Sequence, residues 1–137
     1  MALVIRLGLL IVVSALCGCS YFVSDLTKID LRIVAASDVN PDDNGRPSPV
    51  VVRVLELKSP AVFENAEFFA LYNDEAQTLG ENLIATEEFE FKPGDVRELK
   101  FALSPEANYL AVFAAYRQLE RSNWRLVLPI RLQDRND

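Results

Sequence analysis

Residues Leu83–Leu103 read Leu-Ile-Ala-Thr-Glu-Glu-Phe-Glu-Phe-Lys-Pro-Gly-Asp-Val-Arg-Glu-Leu-Lys-Phe-Ala-Leu. Two runs alternate apolar and polar residues on either side of Lys92-Pro93-Gly94-Asp95. Phe89 and Phe91 share one face, as do Leu99, Phe101 and Leu103, while Glu88, Glu90, Glu98 and Lys100 point to water. A period of two marks half-buried strands. Proline followed by glycine supplies the two backbone conformations of a type II turn, so the pair is expected to form a hairpin.

The same reading extends outward from this pair. Ile29, Leu31, Ile33 and Ala35 alternate with Asp30 and Arg32, and the strand is expected to end at Ser37. Asp38–Pro49 holds three prolines, a glycine and several Asx residues, which predicts an irregular loop. Val50–Lys58 resumes as a strand with Val50, Val52 and Val54 in one phase and Leu55 and Leu57 in the other. Either both faces are covered or a bulge shifts the register near Val54.

Ser59-Pro60 opens a helix with an apolar stripe of Val62, Phe63, Ala66, Phe69 and Ala70. Asn73–Leu79 adds a further turn, capped by Asn73 or Asp74 and stopped by Gly80. Tyr109–Tyr116 is apolar on both faces, as a central strand would be. In Trp124–Leu132, the residues Trp124, Leu126, Leu128, Ile130 and Leu132 form one face, and Pro129 places that strand at an edge or beside a bulge. Six strands with one helical insertion predict an all-β, two-sheet β-sandwich over 29–137, built on a single two-layer core.

The first residues follow a different logic. Arg6 supplies a positive start, Leu7–Leu16 is a short apolar run, and Gly18 is a small residue just before Cys19. That layout predicts a cleaved secretory signal over 1–18. The alternative is a spanning anchor, but Ala2–Gly18 sits at the lower limit of about 17–25 residues and contains Arg6. The short apolar run decides for cleavage. Cys17 fits poorly as the modified residue because bulky Leu16 would precede the cut. Cys19 is the expected lipid-attachment residue, and 19–28 is a tether carrying Tyr21-Phe22-Val23. With Cys17 removed and Cys19 acylated, no disulfide is possible.

Half of the 137 residues are hydrophobic, a figure the signal segment inflates, yet every predicted strand still carries core residues. The formal charge is −6, and loss of Arg6 with the signal makes it −7. An acidic domain repels phosphate backbones and anionic lipid, so neither nucleic-acid binding nor a polybasic membrane patch is expected. Membrane binding falls to the acyl chains, at about 0.8 kcal/mol per buried methylene.

The chain has no histidine, which removes the usual general base and the commonest transition-metal ligand. No glycine-rich phosphate loop occurs, and the acidic clusters Glu87-Glu88 and Glu120 read as strand ends or turns. No catalytic residues, metal or cofactor are expected. Asp38-Val39-Asn40-Pro41-Asp42 matches the first three oxygen ligands of a calcium loop. The match then fails, because Asp43 stands where glycine is needed and Pro49 where the bidentate glutamate is needed. Asx residues also make local turns with their own backbone, and that reading is preferred. The same loop, stiffened by proline, reads equally as a plain connector or as a contact surface.

Several ordered segments resemble the outer-membrane lipoproteins of type VI secretion systems, the TssJ family. The most specific are Asn40-Pro41 with Gly45–Val54, then Phe68-Phe69-Ala70-Leu71-Tyr72. Leu79-Gly80, Pro93-Gly94, Ala114-Ala115-Tyr116-Arg117 and Trp124-Arg125 follow in order, behind a lipobox-like Leu16–Cys19. Cys17 and Phe113 are the chief departures.

The resemblance implies a transthyretin-like sandwich with an inserted helix. It also implies a lipid anchor in the outer membrane of a Gram-negative bacterium, facing the periplasm; Ser20 after the cysteine fits outer-membrane sorting. The implied partner is the periplasmic C-terminal domain of TssM, within a complex of TssJ, TssL and TssM. The implied contact is the first inter-strand loop, Asp38–Pro49: here Asp38, Asn40, Pro41, Asp42, Asp43, Asn44, Gly45, Arg46 and Pro47. Within it Arg46 is the preferred anchor, because its fork can pair bidentately with a carboxylate or backbone carbonyls. A periplasm-facing lipoprotein that binds a small ligand, or acts as an assembly chaperone, is the alternative. It would need a large apolar pocket.

Cys19→Ser should abolish acylation and remove the protein from the outer-membrane fraction. Membrane fractionation and the intact mass of the N-terminal peptide check this. Wild-type-like recovery of the serine variant would overturn the lipid anchor.

Overall fold

The computed structural model describes residues 26–131. The expected signal, Cys19, most of the tether and Leu132 lie outside them. Six strands are present: β1 (Lys28–Val34), β2 (Val50–Leu57), β3 (Leu83–Phe91), β4 (Val96–Ala102), β5 (Tyr109–Ala114) and β6 (Arg125–Pro129). Between β2 and β3 run three short helices, α1 (Ala61–Asn65), α2 (Phe68–Asn73) and α3 (Glu75–Leu79). The strands form two antiparallel sheets, a pair β1-β4 and a four-stranded sheet in the order β3-β2-β5-β6.

The Leu83–Leu103 segment corrects its own reading. Its two runs are strands and its turn is present, with Gly94 at φ 84° and Asp95 N–H donating to Lys92 O at 3.0 Å. No hairpin ladder forms, however: β3 pairs with β2, and β4 pairs with β1. The turn carries the chain from one sheet to the other. Alternation is the same whether two strands lie side by side or face each other across a core. Here they face, and Phe89 meets Phe101 edge to face at 6.5 Å. β1 suits β4 as a partner because its outward charges are complementary, with Asp30 opposite Lys100 and Arg32 opposite Glu98.

β2 resolves its two phases by having both faces covered. Val50, Val52 and Val54 pack toward the small sheet, in clusters with Phe91 and with Phe101, Leu103 and Leu110. Leu55 and Leu57 pack on the opposite side, under Phe63, Phe68, Leu71 and Leu79 of the helices. A register shift against β3 does occur, between Glu56 and Leu57 rather than near Val54. The expected two-layer core therefore becomes three layers, small sheet, large sheet and helices. β5 lies centrally in the large sheet and is apolar on both faces for the same reason.

The helical stripe also changes. Ala66 and Glu67 are extended, each at ψ 146°, and break the expected helix in two. Arg125 Nη1 reaches from β6 to the carbonyls of Phe63 and Ala66 at this break, at 3.0 and 2.8 Å. The break resets the phase, so Phe63, Phe68 and Leu71 are buried, whereas Phe69 is 66% exposed. α3 follows expectation, with Asp74 accepting from Gln77 N–H at its start and Gly80 at φ 55° at its end.

β6 is an edge strand, the first of the two placements that Pro129 allows. Its apolar set divides, because Trp124 precedes the strand and joins the helix-side cluster. Leu126 and Leu128 keep the inter-sheet phase but remain 55% and 38% exposed, since a two-stranded sheet leaves them uncovered.

Strand registers define two poles. Leu26 and Thr27 lead into β1 where Leu103 N–H bonds Thr27 O, Asn108 N–H bonds Leu57 O and Ile130 N–H bonds Asn108 O. At the other end the β1-β2 loop meets the β3-β4 turn, through Ala35 N–H to Asp95 O at 2.8 Å and Gly94 N–H to Ala35 O at 3.1 Å.

Phe63→Ala should lower unfolding free energy by about 3–5 kcal/mol, the cost of an aromatic-sized cavity. Phe69→Ala should stay within about 0.5 kcal/mol, as an exposed substitution. Denaturant midpoints measure both. Equal losses would restore the continuous stripe.

Candidate functional site

The loop at the second pole is built around Asn40, the one buried polar residue among the described residues, at 7% exposure. Its φ of 49° lies in the left-handed region, which asparagine tolerates better than most side chains. Its amide is used at both ends. Nδ2 donates to Pro49 O at 2.7 Å, closing the loop on itself, and Oδ1 accepts from Arg117 N–H at 2.8 Å. Ser48 N–H to Val39 O at 3.1 Å completes the base.

The tip is organised by Asp42. Its Oδ1 accepts from the backbone N–H groups of Asn44 and Arg46, both at 2.9 Å. Its Oδ2 accepts from Arg46 Nε and pairs with Nη2, again at 2.9 Å. Asp42 N–H returns to Arg46 O, and Gly45 N–H to Asp42 O, with Gly45 at φ 74°. The Arg46 backbone N–H, then its side chain and the Asn44 N–H, with Arg117 at longer range, hold the Asp42 carboxyl below the usual carboxylate range despite some desolvation.

These contacts define the role of each expected residue. Asp38, Pro41, Asp43, Asn44, Gly45 and Pro47 are exposed along the loop, and Asn40 is a scaffold beneath them. The Arg46 side chain is 75% exposed, but its Nε–Nη2 fork is already engaged by Asp42. It is thus a clamp within the loop, and only its outer edge faces away. Asp42 likewise directs its oxygens inward, onto the donors of Asn44 and Arg46. Among the described residues no cluster of three or more Cys, Asp or Glu could hold a metal.

Sequence reasoning missed the surface beside the loop. Val39, Asn40 and Pro41 share a hollow of about 200 Å3 with Tyr116, Gln118 and Arg121. It shares Gln118 and Arg121 with a broader groove of about 720 Å3, bounded by the 117–121 segment, Trp124 and the start of α2. The one available signal was Phe68, an aromatic that the expected stripe of Val62, Phe63, Ala66, Phe69 and Ala70 left out.

A lipoprotein family of one bacterial secretion machine matches residues 27–137; its description is "Type VI secretion lipoprotein, VasD, EvfM, TssJ". The chain belongs to this family. Among solved structures, the T6SS lipoprotein TssJ1 from Pseudomonas aeruginosa is 35% identical, with a TM-score of 0.77 over 80% of this chain and 83% of that one. Serratia marcescens Lip, a membrane-bound component of the type VI secretion system, is 34% identical at a TM-score of 0.73, covering 77% and 75%. A chain in the structure of the T6SS protein TssM C-terminal domain from EAEC is 27% identical at a TM-score of 0.65, covering 74% and 79%. No curated protein sequence matches the chain significantly. The two-sheet sandwich with helical insertion is therefore the type VI secretion lipoprotein fold.

Asp42→Asn should release the loop tip with little change in Tm, read as higher amide exchange at Asn44, Gly45 and Arg46. A lowered pKa places the carboxylate's hold on the tip above the ordinary carboxylate range, and that hold is lost as pH falls through the lowered value. The Asn44 and Arg46 amide shifts should titrate with a midpoint below the usual range, and added calcium should leave them unmoved. A calcium-dependent shift would overturn the inward assignment of Asp42.

Proposed function

We propose that this type VI secretion lipoprotein is acylated on Cys19 in the outer membrane and holds the periplasmic C-terminal domain of TssM through the Asp38–Pro49 loop. It then serves as the outer-membrane end of a complex with TssM and TssL, as a structural component rather than a catalyst. The family supports the secretion role, and the likeness to a chain from a TssM C-terminal domain structure supports the partner.

The observation that carries the reading is the placement of the loop. The chain enters the sandwich at the Leu26 pole, and the loop lies at the far pole, shaped in advance by Asn40 and by the Asp42–Arg46 clamp. Leu26 lies seven residues after Cys19, a reach of at most about 25 Å. A lipid at Cys19 would keep the first pole near the membrane and turn the loop toward the periplasm. A preformed loop loses less conformational entropy on docking than a flexible one. The small-ligand alternative finds little room between the sheets, where the void beside Val54, Phe101 and Leu110 is about 10 Å3. That is room for about one water molecule, far below the roughly 300–1,000 Å3 of a small-molecule pocket.

The test compares the full-length lipoprotein in detergent with a variant in which Pro41–Pro47 is replaced by a short glycine-serine link. Affinity for the purified TssM periplasmic domain should fall at least about tenfold, with Tm within a few degrees of wild type. Unchanged affinity in the folded variant would place the contact elsewhere.

A further inference from the structure

Phe69 is a large apolar side chain directed to solvent, on a helix whose neighbouring aromatic, Phe68, is buried. It stands at the edge of the 720 Å3 groove, across from Trp124 and the 117–121 segment. Phe68 packs against both, with ring centroids 5.3 Å from Phe69 and 5.2 Å from Trp124, so the groove has a rigid aromatic floor. Arg125 stacks on Trp124 at 4.4 Å and donates to Phe63 O and Ala66 O, which fixes the wall. Four charged groups, Arg117, Arg121, Glu67 and Glu120, line the rim, and among the described residues none of them forms an ion pair.

The groove is continuous with the loop. Arg117 N–H is bonded to Asn40 Oδ1, and Arg121 lines both the groove and the smaller hollow under Val39–Pro41. In a chain of formal charge −6, Arg117 and Arg121 bring two cations to one groove, where they can meet an incoming carboxylate. Glu67 and Glu120 at the rim disfavour a uniformly acidic ligand and select a mixed one.

Resting on the function proposed above, we infer that the groove is a second contact for the same TssM periplasmic domain. It receives a segment that places an apolar side chain between Phe69 and Trp124 and a carboxylate against Arg121 and Arg117. Loop and groove then form one composite surface, the loop supplying a preformed polar ridge and the groove an aromatic anchor site. Anchors of this kind, an aromatic in a desolvated pocket with arginine beside it, carry most of the energy of an interface.

The test uses the full-length lipoprotein in detergent and the purified TssM periplasmic domain, followed by association and dissociation kinetics. Phe69→Ala should weaken binding at least about tenfold, mainly through faster dissociation. Arg121→Glu should slow association and flatten its dependence on salt. Both variants should keep wild-type Tm, because both side chains are exposed. Wild-type affinity in both variants, while the loop-shortened protein fails to bind, would overturn the groove's role and leave the loop reading standing. Failure of the wild-type protein to bind the TssM domain would instead remove the partner and both readings. A concentration-dependent dimer that Phe69→Ala dissolves would assign the groove to a second copy and overturn the inference. Loss of binding in the groove variants with an unaffected loop-shortened protein would support it, as the principal contact.

Discussion

β2 cannot leave either face in water. Val50, Val52 and Val54 on one side and Leu55 and Leu57 on the other demand two covers, and the rest of the fold is the supply of those covers. The small sheet takes the first side and the helical insertion the second. Between Val52 and Val54, on the helix side, Arg53 interrupts the apolar surface and becomes the fastener. Its Nε donates to Glu88 at 2.7 Å, and its Nη1 donates to Glu75 and to Tyr72 O, each at 3.0 Å. The guanidinium lies over Tyr72 at 4.9 Å and Phe113 at 5.7 Å. Partial burial works against its charge, but Glu88 and Glu75 outweigh that and hold it protonated. Strand, neighbouring strand and helices are joined through one side chain.

The strands were legible because alternation is a local property. Ile29-Leu31-Ile33, Phe89-Phe91 and Leu99-Phe101 declare which residues are buried whatever covers them. They do not declare which strand is the neighbour, and the side-by-side pairing of β3 with β4 failed on that ambiguity. The helical stripe failed for a related reason. A carbonyl-binding arginine from β6, about sixty residues away, makes a break at Ala66-Glu67 tolerable, and no local pattern around Phe63 reveals Arg125. On β6, Leu126 and Leu128 have the phase of core residues, and only the two-strand width of the opposite sheet leaves them exposed.

The loop shows the same division. Its existence and boundaries follow from proline and Asx content, while its shape depends on partners the composition cannot name. Asn40 is fastened to Arg117, seventy-seven residues later in the chain. The bonds from Asp42 to Asn44 and Arg46 are local, yet they reverse the meaning of both charged side chains, turning an apparent free fork and an apparent metal ligand into one internal clamp. The groove was hardest to see, since it exists only where α2, the Gln118 segment and the loop base converge.

The opposed poles have a mechanical consequence. A pull between the chain entry at Leu26 and a partner gripping the far loop runs along the axis of β1. The hydrogen bonds of an antiparallel ladder lie perpendicular to that axis. β1 joins the two pull points covalently, so its extended backbone over Lys28–Val34 would carry the load, and the ladder from Lys28–Ala102 to Val34–Val96 would hold that strand in place rather than bear the tension. The Ala35–Asp95 and Gly94–Ala35 bonds close the loaded end. A two-stranded sheet, weak as an isolated element, would thus be spared the load, because the tension would run along one covalent strand.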